Sequence, residues 1–373
     1  MKCYTAGAFN IRAAESNNMA SLITVCSSFL LAVLVALTVQ IFYFSPIDPV
    51  LLDLKPATTT RDDKLKNIIK LGEGVVKGPE DVCVDKEGSL YTATRDGWIK
   101  RMRRNGDWEN WKHIGGDTLI GVTESKEGGI IVCDANKGLL RVTEDGVSVL
   151  TSQANGSQIS FADDAIEDWE GNVYFSTVST KFYLHNWHLD FLEGRPHGQV
   201  FKYTAITNES ALFLDNLAFA NGVALSKDQD FLLICETWRY RILRHWLKGE
   251  KKGKTDIFVE NLPGAPDNVN LAPDGSFWIC LIQLSSERLE FMYNYKITKH
   301  LLASSPRLFT LVSGLKRRAT VVNVATDGKI IRKFDDGDGK VINFVTSALE
   351  FEDHLYLGSL SSNFVGKLPL RSA

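Results

Sequence analysis

Asp168-WEGNVYFST, residues 168–177, joins an acidic-glycine turn to an apolar run rich in aromatic residues. The same pattern recurs in Asp85-KEGSLYTAT, Ser125-KEGGIIVCD, Ser226-KDQDFLLICE, Ala272-PDGSFWICL and Phe351-EDHLYLGSL. The turn residue is Gly88, Gly128, Gly171, Gln229, Gly275 and Asp353 in chain order, at steps of 40, 43, 58, 46 and 78 residues. Glycine supplies positive φ in such turns, and Asp or Asn bonds its own turn backbone. The runs that follow alternate as half-buried strands do. A unit of a few strands repeating at roughly 40–50 residues signals a β-propeller, because each small sheet buries its faces only against its neighbours. Six copies predict an all-β body with six blades. Two β-sandwiches would not need equivalent turns at this spacing. The two long steps predict insertions near 177–200 and 283–345, and FYLHNWHLDFLE (182–193) reads as a short amphipathic segment capping one face.

The composition agrees. In 373 residues, 44% are hydrophobic and 23% charged, and the net charge is -3. That is globular, and it excludes a disordered chain or a cationic nucleic-acid binder. Six Cys are too sparse for a disulfide scaffold. Cys3 and Cys26 lie outside the repeats. Cys83, Cys133, Cys235 and Cys280 sit in apolar runs without metal-binding spacing and are read as buried free thiols.

Ahead of the repeats, a tail (1–19) leads into ASLITVCSSFLLAVLVALTVQIFYF at residues 20–44, within an uncharged stretch between Glu15 and Asp48. A membrane-spanning helix needs about 20 apolar residues and a cleaved signal core only about 7–15. Ile41-Phe42-Tyr43-Phe44 is too bulky for a cleavage site. The segment is read as an uncleaved transmembrane signal-anchor, with a cleaved signal peptide as the alternative. Lys2 and Arg12 precede it and mixed charges follow, which favours a cytosolic N-terminus and a body in an endomembrane lumen, endoplasmic reticulum or vacuole. The sequons Asn155-Gly-Ser157 and Asn208-Glu-Ser210 fit a glycoprotein on that side. Residues 45–70, with Pro46, Pro49, Pro56 and a Thr58–Thr60 run, read as a tether to a body at 71–373.

Polar residues stand where inner strands should be greasy. Gly78-Pro79-Glu80-Asp81, Phe161-Ala162-Asp163-Asp164, Ala220-Asn221-Gly222 and Ala265-Pro266-Asp267-Asn268 each place side-chain oxygens just before a blade's first strand turn. In a propeller these positions converge near the axis. Converging carboxylates repel one another and raise their own pKa values unless a cation joins them. Oxygen donors that include carboxamides suit a hard ion such as Ca²⁺, which takes about 6–8 of them. The alternative is that they only cap turns.

The body from Leu71 to about Leu370 resembles the strictosidine synthase-like family, of the plant and the adipocyte plasma membrane-associated types, within the six-bladed superfamily of paraoxonases and gluconolactonases. The motifs that carry it are GPEDV (78–82), VCDANKGLL (132–140), FANGVALS (219–226), ETWRYRILRHWLKG (236–249), NLPGAPDN (261–268) and LYLGSLSS (355–362). The resemblance implies a catalytic Ca²⁺ held by Glu80, Asn221, Asp267 and Asn268, with Asp163 where relatives usually have Asn and Asp164 beside it. It also shows departures. The paraoxonase His dyad has no counterpart at Leu119-Ile120-Gly121 or Cys133-Asp134-Ala135, and the catalytic Glu of strictosidine synthase falls on Thr346. A neutral hydroxyl does not shuttle protons as a carboxylate does.

The expected chemistry is metal-assisted hydrolysis of a small-molecule ester or lactone, with Asp163, Asp164 or Asp267 activating water and Glu80 a ligand only. No G-x-S-x-G nucleophile is present; the nearest run, Gly146-Val147-Ser148-Val149-Leu150, lacks the second Gly. His185, His188 and His197 belong to an insertion read as a lid. The basic run Arg241, Arg244, Lys248, Lys251, Lys252 and Lys254 reads as a solvated blade edge. The rival expectations are a non-catalytic binding platform with a structural Ca²⁺ and, less favoured, amine–aldehyde condensation.

Overall fold

The computed structural model describes residues 6–52, 54, 57, 60–154, 156–282, 294–313 and 318–371. Each acidic-glycine turn carries its turn residue in the left-handed region. Gly88, Gly128, Gly171 and Gly275 have φ of 82, 92, 82 and 90°, and Gln229 and Asp353 take 53 and 59°. An antiparallel hairpin closes at each turn, and two further strands complete each sheet.

The described residues form six four-stranded sheets. Innermost strand first, blade one is Val82–Val84, Leu90–Ala93, Trp98–Met102 and Trp108–His113. Blade two is Leu119–Glu124, Ile130–Asp134, Gly138–Val142 and Val147–Thr151. Blade three is Ala162–Glu167, Val173–Thr177, Gly198–Thr204 and Glu209–Leu217, and blade four is Ala220–Leu225, Phe231–Glu236, Arg241–Trp246 and Thr255–Val259. Blade five is Ala265–Leu271, Phe277–Ile282, Ala319–Val324 and Ile330–Asp336. Blade six takes Val345–Phe351, His354–Ser359 and Val365–Pro369 from the end of the chain and Ile69–Leu71 from its beginning, Lys70 opposite Gly366. The innermost strands neighbour one another around the bore. The apolar cores lie between blades, as where Phe231, Phe258, Phe277 and Ile279 meet across blades four and five. Cys83, Cys133, Cys235 and Cys280 are buried free thiols whose pKa burial pushes well up.

Among the described residues, four α-helices lie outside the blades: α1 (Ala6–Phe42), α2 (Trp187–Glu193), α3 (Lys296–Ala303) and α4 (Pro306–Ser313). The apolar part of α1, Ser21–Phe42, is a candidate membrane span, long enough to cross a bilayer and not covered by the rest of the protein. The insertion expected at 177–200 holds α2. The one expected at 283–345 is shorter. Residues 319–336 contain blade five's outer strands, as the β-branched run Ala319-TVVNV favours.

Residues 45–68 are more than a tether. Ile47, Leu52 and Leu65 are buried, and fully burying an aliphatic side chain stabilises by about 1.5–3 kcal/mol. Backbone contacts fix this strap. Val50 N–H donates to the Glu193 carbonyl at 2.9 Å, and Asp63 N–H donates to Asp335 Oδ1 at 2.9 Å. Lys299 Nζ donates to the Val50 carbonyl at 2.6 Å. Strap, α2, α3 and α4 share one apolar cluster with the blade rims, including Phe161, Phe219 and Trp238.

Candidate metal centre

The innermost strands of blades two to six break register at one place, between Leu119/Val122, Ala162/Ala165, Ala220/Val223, Pro266/Val269 and Val345/Ser347. A bulge re-aims side chains that a regular strand would send to alternate faces. Blade one reaches the same place with Glu80-Asp81, just before its first strand. The consecutive pairs around the ring are therefore Glu80-Asp81, Ile120-Gly121, Asp163-Asp164, Asn221-Gly222, Asp267-Asn268 and Thr346-Ser347.

The first members converge. Glu80, Ile120, Asp163, Asn221 and Asp267 line one cavity of about 290 Å³. Its upper walls are apolar, with Phe161, Trp187, Phe219, Trp238, Ile282 and Phe344 among them, and Arg95 and His185 supply polar rim groups. Asn268 joins the floor through Nδ2, which donates to Glu80 Oε1 at 3.3 Å.

The second members act between blades. Asp81 Oδ2 accepts from Val122 N–H of blade two at 2.9 Å, and Asp164 Oδ2 accepts from Val223 N–H of blade four at 2.8 Å. Their other oxygens accept from Val82 and Ala165 N–H, both at 2.8 Å. Gly121 and Gly222 alternate with them. A Cβ at Gly121 would lie 2.3 Å from the Asp163 carbonyl oxygen, and one at Gly222 would lie 2.6 Å from Asn268 Cα. Only glycine lets the blades approach this closely. Asp81 and Asp164 line a separate cavity with Lys126, Trp169 and Lys227 from the turns after the innermost strands, at the other end of the bore.

The electrostatics of the floor are unbalanced. Burial first, then repulsion from Asp267, Asp81, Asp163 and Asp164, raises the Glu80 pKa well above the usual carboxylate range. Burial, then Asp267 and Asp164, does the same to Asp163, with Arg95 opposing. Burial pushes Asp267 up to about 8 despite a hydrogen bond from Asn221, and Asp81 adds repulsion. Glu80 Oε2, Asn221 Oδ1 and Asn268 Oδ1 are buried without a hydrogen-bond partner. An unmet buried acceptor costs about 1–3 kcal/mol. Three of them facing a carboxylate-rich floor fit a hard cation. Among the described residues no three His, Cys, Asp or Glu side chains form a group able to hold a metal ion. The carboxamide oxygens of Asn221 and Asn268, buried and unpartnered, add donors to the carboxylates there.

Comparison with known proteins places the chain in a family. The strictosidine synthase family model matches residues 163–250, and the model of the strictosidine synthase-like N-terminal region matches 60–102. Protein STRICTOSIDINE SYNTHASE-LIKE 4 of Arabidopsis thaliana is 32% identical over 308 residues, 80% of this chain and 81% of that protein. The chain belongs to the strictosidine synthase-like family. The adipocyte plasma membrane-associated protein of Rattus norvegicus is 31% identical over 355 residues, 88% of this chain and 94% of that relative. Among solved structures, a gluconolactonase from Xanthomonas campestris superposes with a TM-score of 0.58 at 13% identity, covering 86% of this chain and 97% of the other. Regucalcin from Agrobacterium tumefaciens, a calcium-binding protein, gives 0.52 at 10%, covering 80% and 92%. At such identities the two structures show the fold alone.

In this strictosidine synthase-like chain the remaining motif residues have defined places. Thr346 Oγ1 donates to the Glu80 carbonyl at 2.5 Å, joining blade six to blade one. The three insertion histidines diverge. His185 is exposed at the cavity rim, 3.6 Å from Asp117, and His188 packs against the Phe309 ring. His197 Nε2 meets Glu193 Oε2 at 3.0 Å. In the basic run, Arg244 on the third strand of blade four pairs with Asp256 on its outer strand at 2.9 Å. Asn208 is exposed in a turn at φ 55°, and Asn155 lies outside the described residues. Sequence reasoning missed Arg95, Trp187 and Trp238 as cavity residues. The Asp81/Asp164 inter-blade contacts had one signal, the glycine that follows at the matching place in the next or previous blade.

Proposed function

We propose that the protein is a Ca²⁺-dependent hydrolase of esters or lactones. The observation that carries this reading is the set of three buried, unpartnered oxygens of Glu80, Asn221 and Asn268, the first two lining the floor of an aromatic-walled cavity and the third joined to Glu80 through its amide. With Asp163 and Asp267, these residues would hold the ion. When bound, a divalent cation polarises a carbonyl oxygen and stabilises the oxyanion that develops there. The chain supplies the rest. The aromatic walls bury the acyl or alkyl part and exclude water. Asp163 or Asp267, both lining the cavity floor, would take the proton of the attacking water. Asp164 is a weaker base candidate, since backbone N–H groups occupy both of its oxygens. Strictosidine-type condensation is disfavoured, because the hydroxyl at Thr346 is spent on the Glu80 carbonyl.

The names of two proteins with the same fold, a gluconolactonase and a calcium-binding regucalcin, support the lactone and calcium parts of this reading. The body would face an endomembrane lumen, of the endoplasmic reticulum or vacuole, with Asn208 open to glycosylation. The test is turnover of phenyl acetate and a lactone panel by the full-length protein with calcium and after chelation. Turnover lost on chelation while the fold persists supports the hydrolase. A second reading, a binding platform with a structural ion, is favoured by the donors coming from four blades. Unfolding on chelation with no turnover in calcium selects it and overturns the first.

A further inference from the structure

The candidate membrane span does not lead away from the propeller. Its last residue, Phe42, meets the His300 ring of α3 edge-on at 5.5 Å between centroids. Three residues later Ser45 Oγ lies 2.7 Å from His300 Nδ1. If α1 crosses a bilayer, α3 therefore lies within a few ångströms of the bilayer surface. The adjoining side chains suit that place. α3 turns Lys299, Leu302 and Ala303 inward, while Ile297 is 68% and Leu301 42% exposed. α4 buries Phe309 against Trp187 and leaves Leu311 76% exposed. At the junction Tyr43 is 82% and Phe44 64% exposed. Lys296 and Arg307 are exposed on the same two helices. Outward apolar residues flanked by basic ones are the pattern of helices that lie in the headgroup layer.

The cavity opens beside this face. Trp187, the first residue of α2, lines the cavity and also packs edge-on against Phe309 of α4 at 6.0 Å. Leu184 and Phe344 extend the apolar wall. A substrate dissolved in the outer part of the bilayer would reach the floor along aromatic side chains without crossing bulk water.

We propose that α3, α4 and the end of α1 rest in the headgroup layer of the membrane that α1 spans, and that the cavity draws a lipophilic ester or lactone from that layer. The second half rests on the hydrolase reading; the first does not.

The experiment uses the full chain in nanodiscs of phosphatidylcholine and phosphatidylserine, with Cys3 and Cys26 replaced by serine. A nitrobenzoxadiazole probe is attached at Leu311→Cys or, independently, Ile297→Cys. A control carries it at Lys227→Cys, beside the other end of the bore. The expected result is blue-shifted emission at the first two sites, quenched by nitroxide-labelled lipid, and water-like emission at the control. Water-like emission at Leu311 and Ile297 overturns the membrane face. A blue shift that lipid nitroxide does not quench also overturns it, because protein then covers the helices. For the substrate, the double variant Ile297→Asp/Leu311→Asp should hydrolyse a soluble aryl acetate within about twofold of wild type, and a long-chain ester in the disc at least about tenfold more slowly. Equal rates or equal losses on the two esters overturn the substrate half. Lipid quenching with no hydrolysis of either ester by wild type leaves the membrane face standing and brings down the hydrolase reading.

Discussion

Replacing Glu80 with glutamine should change the sign of its effect on stability when calcium is added. Glutamine keeps an oxygen for the Asn268 amide, now 3.3 Å from Glu80 Oε1, but removes one negative charge from the floor. In the calcium-free protein that charge is unwelcome. Burial and four neighbouring carboxylates raise the Glu80 pKa well above its ordinary value. A carboxyl whose folded pKa exceeds its unfolded one contributes stability below the unfolded pKa and loses it as pH rises through the folded one. Calcium-free wild type should therefore melt at progressively lower temperature from pH 5 to pH 8. Glu80→Gln should lose less, and melt higher than wild type at pH 8. With calcium the order reverses. At a concentration about 100 times its Kd, wild type gains about 2.7 kcal/mol. Loss of a charged ligand that weakens binding about 100-fold leaves about 0.4 kcal/mol at the same concentration. At roughly 2 °C per kcal/mol for a large domain, the calcium-induced rise in Tm falls from about 5 °C to about 1 °C. Differential scanning calorimetry at the two pH values, with calcium and with chelator, reads all four states. An equal calcium increment in both proteins would refute the assignment of Glu80 as a ligand. A variant less stable than wild type without calcium would refute the charge repulsion.

Gly222→Ala places a Cβ 2.6 Å from both Asn268 Cα and the Asp267 carbonyl oxygen. It should weaken calcium binding at least about tenfold by displacing those two residues, as seen by isothermal titration calorimetry, and a folded variant with unchanged affinity would count against their role. Thr346→Val orphans the Glu80 carbonyl from its 2.5 Å donor and should cost about 1–3 kcal/mol in urea unfolding. Glutamate at Thr346 should not introduce condensation of tryptamine with secologanin, checked by product mass. Burial, against hydrogen bonds from Ser179 and Trp238, raises the α2 residue Asp190 to about 6. Stability from this group is present below the ordinary carboxylate range and fades as pH rises through about 6. Hydrogen exchange in α2 and the strap should accelerate over that range in wild type, and Asp190→Asn, which keeps an acceptor for Trp238 Nε1, should flatten the change.

The ring was legible because its turns are chemically marked. Gly88, Gly128, Gly171 and Gly275 occupy a backbone region that few other residues enter freely, so their spacing reports blade spacing. The convergence of Glu80, Asp163, Asn221 and Asp267 was legible for a related reason, since polar groups on inner strands require a purpose. What separates Asp163 from Asp164 was not. Both are buried acids, adjacent in the chain, and only the bulge between Ala162 and Ala165 sends one to the cavity and the other to the next blade's backbone. A register break depends on the partner strand and leaves no mark in residue type. The strap was misread because prolines suggest a loose linker. The three side chains that bind it down, Ile47, Leu52 and Leu65, are too widely spaced to show periodicity. Blade five's outer strands were absorbed into an insertion because no acidic-glycine turn introduces Ala319–Val324.

The pairing of Ile69–Leu71 with Val365–Pro369 sets the order of events at the ribosome. Five sheets are assembled from contiguous chain and are free to form as they emerge. The sixth must wait for the final strand, with its earliest-made member idle throughout synthesis. Without Val365–Pro369 the ring would be an open crescent with two raw sheet edges, so closure is one event that joins two segments far apart in the chain.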